Sequence, residues 1–304
     1  MSLSGSSTNE IKLEAVSVKW GREECRKVTF VDDSTGSLAA EYFDFNTVDE
    51  SGVESLKYVW LDNGASVDPA VAGKTGIQVT YADDDLAATI AGLFVAALAA
   101  ENVNVSQSGA EVIYENKDIG SITLEDKSNA TALSFEVLSV GIGGDLGKTA
   151  EGGSTLSNET QSVELRSDQS GQIVLGEIYT GSTASVEMSL IEMTKERWET
   201  IIGGVTGDVF VPTGGTRLVG QGTSRLYQNL FNLGGKLILH PIRLASSDKT
   251  EDICFWKSAP KPSSVSFSGQ DIQGMEVAFT AYNDSSKPEE VSLWSQGDYT
   301  QELV

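Results

Sequence analysis

Side chains that commonly perform catalysis are scarce in this chain of 304 residues. It contains one histidine, His240, directly before Pro241, and two cysteines, Cys25 and Cys254. A single histidine excludes a histidine pair and an HExxH motif, and nothing around it indicates a Ser-His-Asp triad. We expect His240 to lie at the end of a strand. Both cysteines are expected to be small apolar core residues and not nucleophiles. Two cysteines so far apart in sequence also make no disulfide framework.

Two segments share the ending of a phosphate-binding loop but lack its first glycine. The P-loop motif requires a glycine five residues before the Gly-Lys-Thr triplet. Ile142 stands there for Gly147-Lys148-Thr149, and Asp68 stands there for Gly73-Lys74-Thr75. We therefore predict that both triplets lie in loops and bind no nucleotide.

Three acidic runs could attract a hard cation: Asp32-Asp33, Asp83-Asp84-Asp85 and Glu289-Glu290. None has the alternating spacing of a calcium loop. We expect them to form a solvated face or a helix N-terminus. The sequence predicts no catalytic residue, no metal site and no cofactor, so we expect the protein not to be an enzyme.

The charge balance argues against a nucleic-acid-binding protein. The 44 Asp and Glu residues outnumber the 21 Lys and Arg residues, which gives a formal net charge of −23. A protein that holds DNA neutralises phosphates with clustered basic residues, and no such cluster is present.

The polar start, Met1–Asn9, lacks the features of a signal peptide, and the longest apolar run, Leu86–Ala100, is too short to span a bilayer. We therefore expect synthesis in a reducing cytoplasm, without membrane insertion.

Glycine- and serine-rich stretches divide the chain. They lie at residues 32–37 and 151–159, as is typical of linkers. A strand pattern that stops at Phe30 resumes after the second stretch. We predict one discontinuous β domain, residues 1–36 with 151–304, carrying an inserted α+β module at residues 37–150.

The module is predicted to combine short strands with one helix. The helix should place Leu86, Ile90, Leu93 and Leu98 on its buried face, with the preceding aspartates at its N-terminus. Asp62-Asn63-Gly64 indicates a hairpin turn. The strand candidates are Glu41–Phe45, Leu56–Leu61, Ile77–Tyr81, Val103–Ser106, Glu111–Glu115, Ile122–Leu124 and Leu133–Val137.

The larger domain is predicted to be a sandwich or barrel with one short flanking helix. The helix should run from Lys195 to Ile202 with Thr194 as its cap. Leu230–Leu233 and Lys236–His240 indicate a hairpin across two glycines. In one strand the residues alternate between an apolar face and a polar face: Ala184, Val186, Met188 and Leu190 against Ser185, Glu187 and Ser189.

Residues 161–204 resemble the tail tube, or major tail, proteins of long-tailed bacteriophages. A strand with a Thr-Gly pair leads into an alternating strand, an acidic residue and a short helix that ends in Gly-Gly. The block Leu230–Tyr282 is similar to the later part of such proteins, and the module's Tyr42–Phe45 is similar to accessory domains of virion proteins. The positions that carry the first resemblance are Thr180-Gly181, Glu192, Met193, Glu196 and Gly203-Gly204.

The resemblance implies a structural virion protein. Subunits of this family form hexameric rings in which strands of all copies build one β-barrel, and the rings stack into a tube that conducts DNA. The implied partners are further copies and other tail proteins, and the implied location is the virion tail. DNA would pass without specific binding. The alternative is another virion component, such as a baseplate, minor tail or head decoration protein with a partner-binding module.

Two sets of residues are predicted to serve such an assembly. Polar side chains opposite a core face would line the lumen: Ser185, Glu187 and Ser189. The long glycine-rich loop Val205–Arg225 would reach the next ring, because loops of that length are usually functional. Its interface candidates are Val209, Phe210, Val211, Arg217 and Arg225.

Overall fold

A computed structural model describes most of the chain: residues 6–34, 36–49, 52–120, 122, 129–166, 174–191, 194–198, 200–202, 208–210, 218–220, 227–266 and 274–301. The described part is mainly β. In chain order its elements are β1 (Ser6–Leu13), β2 (Val16–Arg22), β3 (Cys25–Thr29), β4 (Tyr42–Asp44), β5 (Thr47–Val48), β6 (Glu54–Ser55), β7 (Lys57–Asp62), β8 (Thr75–Thr80), α1 (Ala87–Ala97) with a 3₁₀ turn at Leu98–Ala100, β9 (Val103–Ser108), β10 (Glu111–Asn116), β11 (Ser134–Ser139), β12 (Ile142–Arg166), β13 (Val174–Leu190), α2 (Lys195–Trp198), β14 (Asp208–Phe210), β15 (Leu218–Gly220), α3 (Leu230–Leu233), β16 (Gly235–Pro241), β17 (Ile253–Ser266), β18 (Gly274–Ala281) and β19 (Trp294–Gln296).

The chain divides into two compact units. The first comprises Met1–Trp20 with Asp145–Val304, and the second comprises Gly21–Gly144. The predicted boundaries at 36/37 and 150/151 differ from these. The strand β3 was assigned to the larger domain, but it pairs with β10 and β11 of the second unit. The strand β3 belongs to the second unit because its pairing partners lie more than 80 residues later in the sequence.

An eight-stranded sheet forms the first unit, with strand order β1-β12-β13-β18-β17-β16-β2 and β19 beside β17. Because β12 also pairs with β2, six of these strands form a closed circuit of pairings. Trp20 lies fully buried within the unit, 6.3 Å from Phe279 between ring centroids. Its indole nitrogen donates a hydrogen bond to the carbonyl oxygen of Ser258, at 3.1 Å. Without this bond, the single polar atom of the buried ring would have no hydrogen-bond partner.

Several local predictions for this unit are wrong because pairing overrides composition. The predicted linker at residues 151–159 and the triplet Gly147-Lys148-Thr149 both lie within the strand β12. The predicted first strand of a hairpin, Leu230–Leu233, is the helix α3, whose N-terminus is capped by the side chain of Asn229.

The predicted cap of α2 is confirmed. The hydroxyl oxygen of Thr194 accepts a hydrogen bond from the Arg197 amide at 3.4 Å.

The second unit packs the helix α1 against two sheets. One sheet has the order β11-β3-β10-β9 and the other has the order β4-β7-β8. The strands β7 and β8 pair in parallel, so Asp62-Asn63-Gly64 does not form the predicted hairpin turn. Parallel neighbours need a longer crossover, and residues 63–74 supply it. The predicted strand Ile122–Leu124 falls mostly outside the described residues.

The buried face of α1 differs from the predicted one. Ile90 and Leu98 are buried as expected. Leu86 is 63% exposed and Leu93 is 36% exposed, however, whereas Phe94 is completely buried. Phe94 contacts four aromatic rings of the core: Phe30, Phe43, Phe45 and Tyr114. The helix carries no charged side chain, so two overlapping apolar stripes were available, and the aromatic partners select the stripe that contains Phe94.

The N-terminus of α1 is stabilised by an acidic residue from elsewhere in the chain. The three aspartates just before the helix were expected to cap it, but its cap position is Leu86 and its first turn contains no acidic residue. Instead a carboxylate oxygen of Asp32 accepts a hydrogen bond from the Ala87 amide at 2.8 Å. A carboxylate at this end also interacts favourably with the helix dipole.

The ends of the second unit lie close together, which makes its removal a direct test of the division. A Cβ atom added at Gly21 would stand 2.0 Å from the carbonyl oxygen of Ile142. We expect that joining Trp20 to Asp145 through a short Gly/Ser linker leaves a first unit that folds and melts cooperatively, because its core residues are its own. Calorimetry and circular dichroism measure this, and a shortened chain without a cooperative transition would contradict the division.

Candidate self-assembly surface

Three strands extend beyond the closed circuit as a ribbon in the order β1-β12-β13. The whole of β1 pairs with residues 154–161 of β12. The other side of β12 pairs with β13, and β18 joins β13 only from Ser185 onward. Among the described residues, no strand pairs with the outer edge of β1 or with the outer edge of β13 before Ser185. Within the described ranges, the ribbon therefore presents two open backbone edges.

Open edges of this kind promote association. Their unpaired N–H and C=O groups are a template for a strand from another chain. The segment of β13 from Gly176 to Ala184 contains no proline and no lysine, two residues that commonly block an edge. The ribbon also carries a register shift between Gln161 and Ser162, where the opposite strand has one extra residue, Thr180. Such a bulge increases the local twist.

The polarity of the ribbon changes along its outer face. Alternate residues of β12 share one face, opposite to the face of the buried Leu156. This outer face is polar near the circuit, with Thr155 and Glu159, and becomes apolar past the bulge. Leu165 is 47% exposed there. Ile178 lies on the same face, because it pairs with Val163, and it is 52% exposed.

The opposite face of the same segment is acidic. Glu164 lies directly across from Glu177, and the Ser162 hydroxyl donates a hydrogen bond to a carboxylate oxygen of Glu177 at 3.0 Å. An isolated two-stranded ribbon is marginally stable in water. The apolar face at Leu165 and Ile178 thus has a physical reason to be covered in an assembly. These residues were missed, although the alternation of Val163 and Leu165 with charged neighbours was visible in the sequence.

The predicted lumen residues lie where the alternation places them. Val186 and Met188 are buried, Glu187 between them is exposed, and Ser185 and Ser189 are half-buried. Ser185 pairs with a residue of the outer face of β12, so this polar set shares a face with the ribbon's outer residues. Which environment this face meets in an assembly stays a prediction.

The predicted contact loop contains a small hairpin. Val209 and Phe210 belong to β14, whose three residues pair antiparallel with β15. Val211, Arg217 and Arg225 lie outside the described residues. The two strands form a separate sheet that joins none of the other described strands. The segment expected to be irregular is therefore partly an isolated hairpin.

The composition of Met1–Asn9 and of Asn283–Val304 predicts two further extended arms, but both segments contain paired residues. Residues 6–9 of the predicted N-terminal arm belong to β1. The C-terminal segment from Asn283 contributes β19, which pairs with the start of β17. Both segments add strands to the large sheet, so each contributes an edge rather than a free tail.

A groove of about 890 Å³ lies between the ribbon and the C-terminal segment. Tyr179 and Ser182 of β13 line one side, and Trp294 and Gln296 of β19 line the other. Glu289 and Glu290 are exposed at the same groove. The groove thus follows the open part of the β13 edge.

The lone histidine forms a structural pair. His240 Nδ1 lies 2.6 Å from a carboxylate oxygen of Asp252, and both side chains are largely buried. Burial raises the pKa of the Asp252 carboxyl, while the hydrogen bond and charge of His240 act in the opposite direction. The Ser17 hydroxyl donates to the His240 carbonyl oxygen rather than facing the ring. The pair ties the end of β16 to the residue before β17.

The cysteines are unsuited to nucleophilic chemistry. Burial, followed by nearby glutamates, raises the pKa of the Cys25 thiol to about 11. A thiol with that pKa stays protonated near neutral pH, and the thiolate is the reactive form. Cys254 is completely buried.

Within the described ranges, no group of three or more His, Cys, Asp or Glu side chains is arranged to hold a metal ion. None of the helices in that same part of the chain is long and apolar enough to cross a membrane. Comparison with protein-family models and with curated protein sequences found no match for this chain.

Proposed function

We propose that this protein is a structural subunit of a bacteriophage tail tube, which assembles into stacked hexameric rings that conduct DNA during ejection. The two open edges of the β1-β12-β13 ribbon carry the proposal. They are the two opposite edges of one three-stranded ribbon, so the β1 edge of one copy can pair with the β13 edge of the next. Such a head-to-tail contact gives a ring when the rotation closes.

Ring closure would satisfy the ribbon in two ways. It pairs both open edges, which removes the hazard of uncontrolled association. It also places side chains of a neighbouring copy beside the exposed Leu165 and Ile178. A hydrophobic face that stays uncovered in the monomer and is covered in the ring favours assembly over the free subunit.

Charge is compatible with a DNA conduit. In this proposal Ser185, Glu187 and Ser189 line the lumen, where the carboxylate repels the phosphates and the hydroxyls offer no positive charge to hold them, so the DNA passes without specific binding. The partners are further copies of the chain and other tail proteins, and the location is the virion tail after synthesis in the host cytoplasm. The protein acts without catalysis, cofactor or membrane insertion.

Negative-stain electron microscopy of the purified chain tests the proposal. We expect hexameric rings or tubes of even axial spacing, whose proportion rises with protein concentration because association follows mass action. Monomers at every concentration, or closed oligomers that never stack, would reject the tube and favour another virion component with the second unit as its partner-binding module.

A further inference from the structure

The strand β13 has a partner along only part of one side. On that side β18 pairs with residues 185–190. No strand pairs with residues 174–184 on the same side, within the part of the chain that the structure describes. The groove described above opens beside this stretch at Tyr179 and Ser182, so the backbone edge can be reached from solvent. The open stretch is eleven residues long and ends where β18 begins.

The directions of the strands determine how the two open edges of the ribbon can meet. The strand β1 is antiparallel to β12, and β12 is antiparallel to β13, so β1 and β13 point the same way. Rotation about a ring axis preserves the direction of every strand relative to that axis. The β1 of one copy is therefore parallel to the β13 that it meets in the next copy. A ribbon with an odd number of strands closes a ring only through such parallel junctions.

The position of β18 limits the register of this junction. Within one copy Leu13, Ser154 and Met188 lie directly opposite one another on the three strands. In the same register, the next copy would place its Leu13 beside Met188, where Val277 of β18 already pairs. To clear β18, the incoming Leu13 can lie no further along β13 than Ala184. The next copy is therefore displaced towards the start of β13 by at least four residues, the separation of Ala184 from Met188.

The faces of the sheet limit the register further. Residues directly opposite each other share a face, and a slip of one residue turns every side chain to the other face. The displacement must therefore be an even number of residues. Ser154 and Ala184 are both buried, so a displacement of four continues the buried face across the junction. The eight residues of β1 fit within the open stretch at displacements of four or six.

Barrel geometry selects the smaller displacement. Three strand spacings cover about 14 Å across the sheet, and four residues cover about 13 Å along it. In a closed ring the ratio of these lengths sets the strand tilt, which is about 43° for four residues and about 54° for six. Strands in barrels are usually tilted by about 35–45°. With a displacement of four residues, six copies would build a barrel about 37 Å across between opposite backbones.

We infer that β1 of the next copy pairs in parallel with the open stretch of β13, displaced by four residues, and that β18 is the stop that sets this register. The inference rests on the proposed function and adds the direction and register of the ring junction. The sheet then forks after Ala184, because the same side of β13 is bordered by β18 of its own copy and by β1 of the next. Lys12 of the next copy lies opposite Thr183.

Paired cysteines in one chain test the register. We choose Lys12→Cys with Thr183→Cys, because Thr183 is exposed. Within one copy, Lys12 lies opposite Thr155 and Glu187, two strands and four residues away from Thr183. A disulfide requires Cα atoms within about 7 Å, so we expect oxidation to link only different copies, in a ladder of up to six chains and with about tenfold more product than the controls below. Non-reducing electrophoresis measures the ladder.

Two matched pairs report the other registers. Lys12→Cys with Glu187→Cys tests the junction without displacement, and Lys12→Cys with Gly181→Cys tests a displacement of six. A Cβ atom added at Gly181 meets no other atom within 4 Å, so that substitution fits the fold. Both pairs should give little cross-linked product. The unsubstituted chain gives the background, since Cys254 is buried and burial helps to raise the pKa of Cys25 to about 11.

The outcomes separate this inference from the proposed function. Rings that cross-link through the Glu187 or Gly181 pair, or through none of the three pairs, overturn the register and leave the tube proposal intact. A wild-type chain that forms no rings, together with a Thr183 pair that forms no ladder, contradicts both. Electron cryomicroscopy of the rings is a second readout, in which an antiparallel junction or a strand tilt near zero overturns the inference.

Discussion

Replacing Phe94 by aspartate should unfold the second unit. Phe94 is completely buried and contacts four aromatic rings, so truncation alone would cost about 3–5 kcal/mol. The carboxylate adds the penalty of burying an unpaired charge. The total is comparable to the whole stability of a small domain. Loss of near-ultraviolet circular dichroism and of amide protection across residues 21–144 measures the effect.

The adjacent residue gives a matched control. Leu93→Asp introduces the same carboxylate one position earlier in the same helix, where the side chain is 36% exposed. We expect its free energy of unfolding to change by no more than about 1 kcal/mol. Equal destabilisation by both substitutions would show that the helix presents a different face, and a wild-type melting curve for Phe94→Asp would reject the assigned core.

Deleting Met1–Leu13 should abolish rings of wild-type size while the first unit remains folded. The deletion removes β1, which lies outside the closed circuit of six strands and contributes one of the two open edges. Each copy would then present an edge displaced by one strand spacing, about 4.8 Å, from the position that closes the ring. Sedimentation velocity and electron microscopy report assembly, and calorimetry reports folding.

Deleting only Met1–Gly5 is the control for that experiment, because it shortens the chain but leaves β1 complete. This variant should form rings as the full chain does. Tubes of unchanged diameter from the chain that lacks Met1–Leu13 would show that β1 is not the edge that closes the ring. Loss of the cooperative melt would show that the circuit needs β1.

The sequence by itself determined the local features that depend on a regular period. The alternation along β13 located Val186 and Met188 in the core and Glu187 on the surface, because a strand turns each side chain to the opposite face. The cap at Thr194 was likewise readable, since the interaction spans three residues. The mainly β class followed from many short alternating segments.

Periodicity was insufficient where every candidate position was apolar. In α1 the stripes through Leu93 and through Phe94 have the same spacing, and no charged residue distinguishes them. The choice depends on the rings of Phe30, Phe43 and Tyr114, which meet the helix only in the folded unit. The helix cap at Asp32 is also a tertiary contact, 55 residues away in sequence.

Only the tertiary structure decided which segments are strands and which edges stay open. Residues 151–159 have the composition of a linker, yet they are held in β12 by β1 on one side and β13 on the other. Pairing of Leu13 with Ser154 brings together residues far apart in the chain, and backbone hydrogen bonds of this kind depend little on side-chain identity. The candidate assembly surface is made of such backbone edges. The amino-acid sequence specifies side chains, and the backbone groups that form these edges are the same in nearly every residue. This is why the alternating residues of the site could be predicted, whereas the ribbon and its two open edges could not.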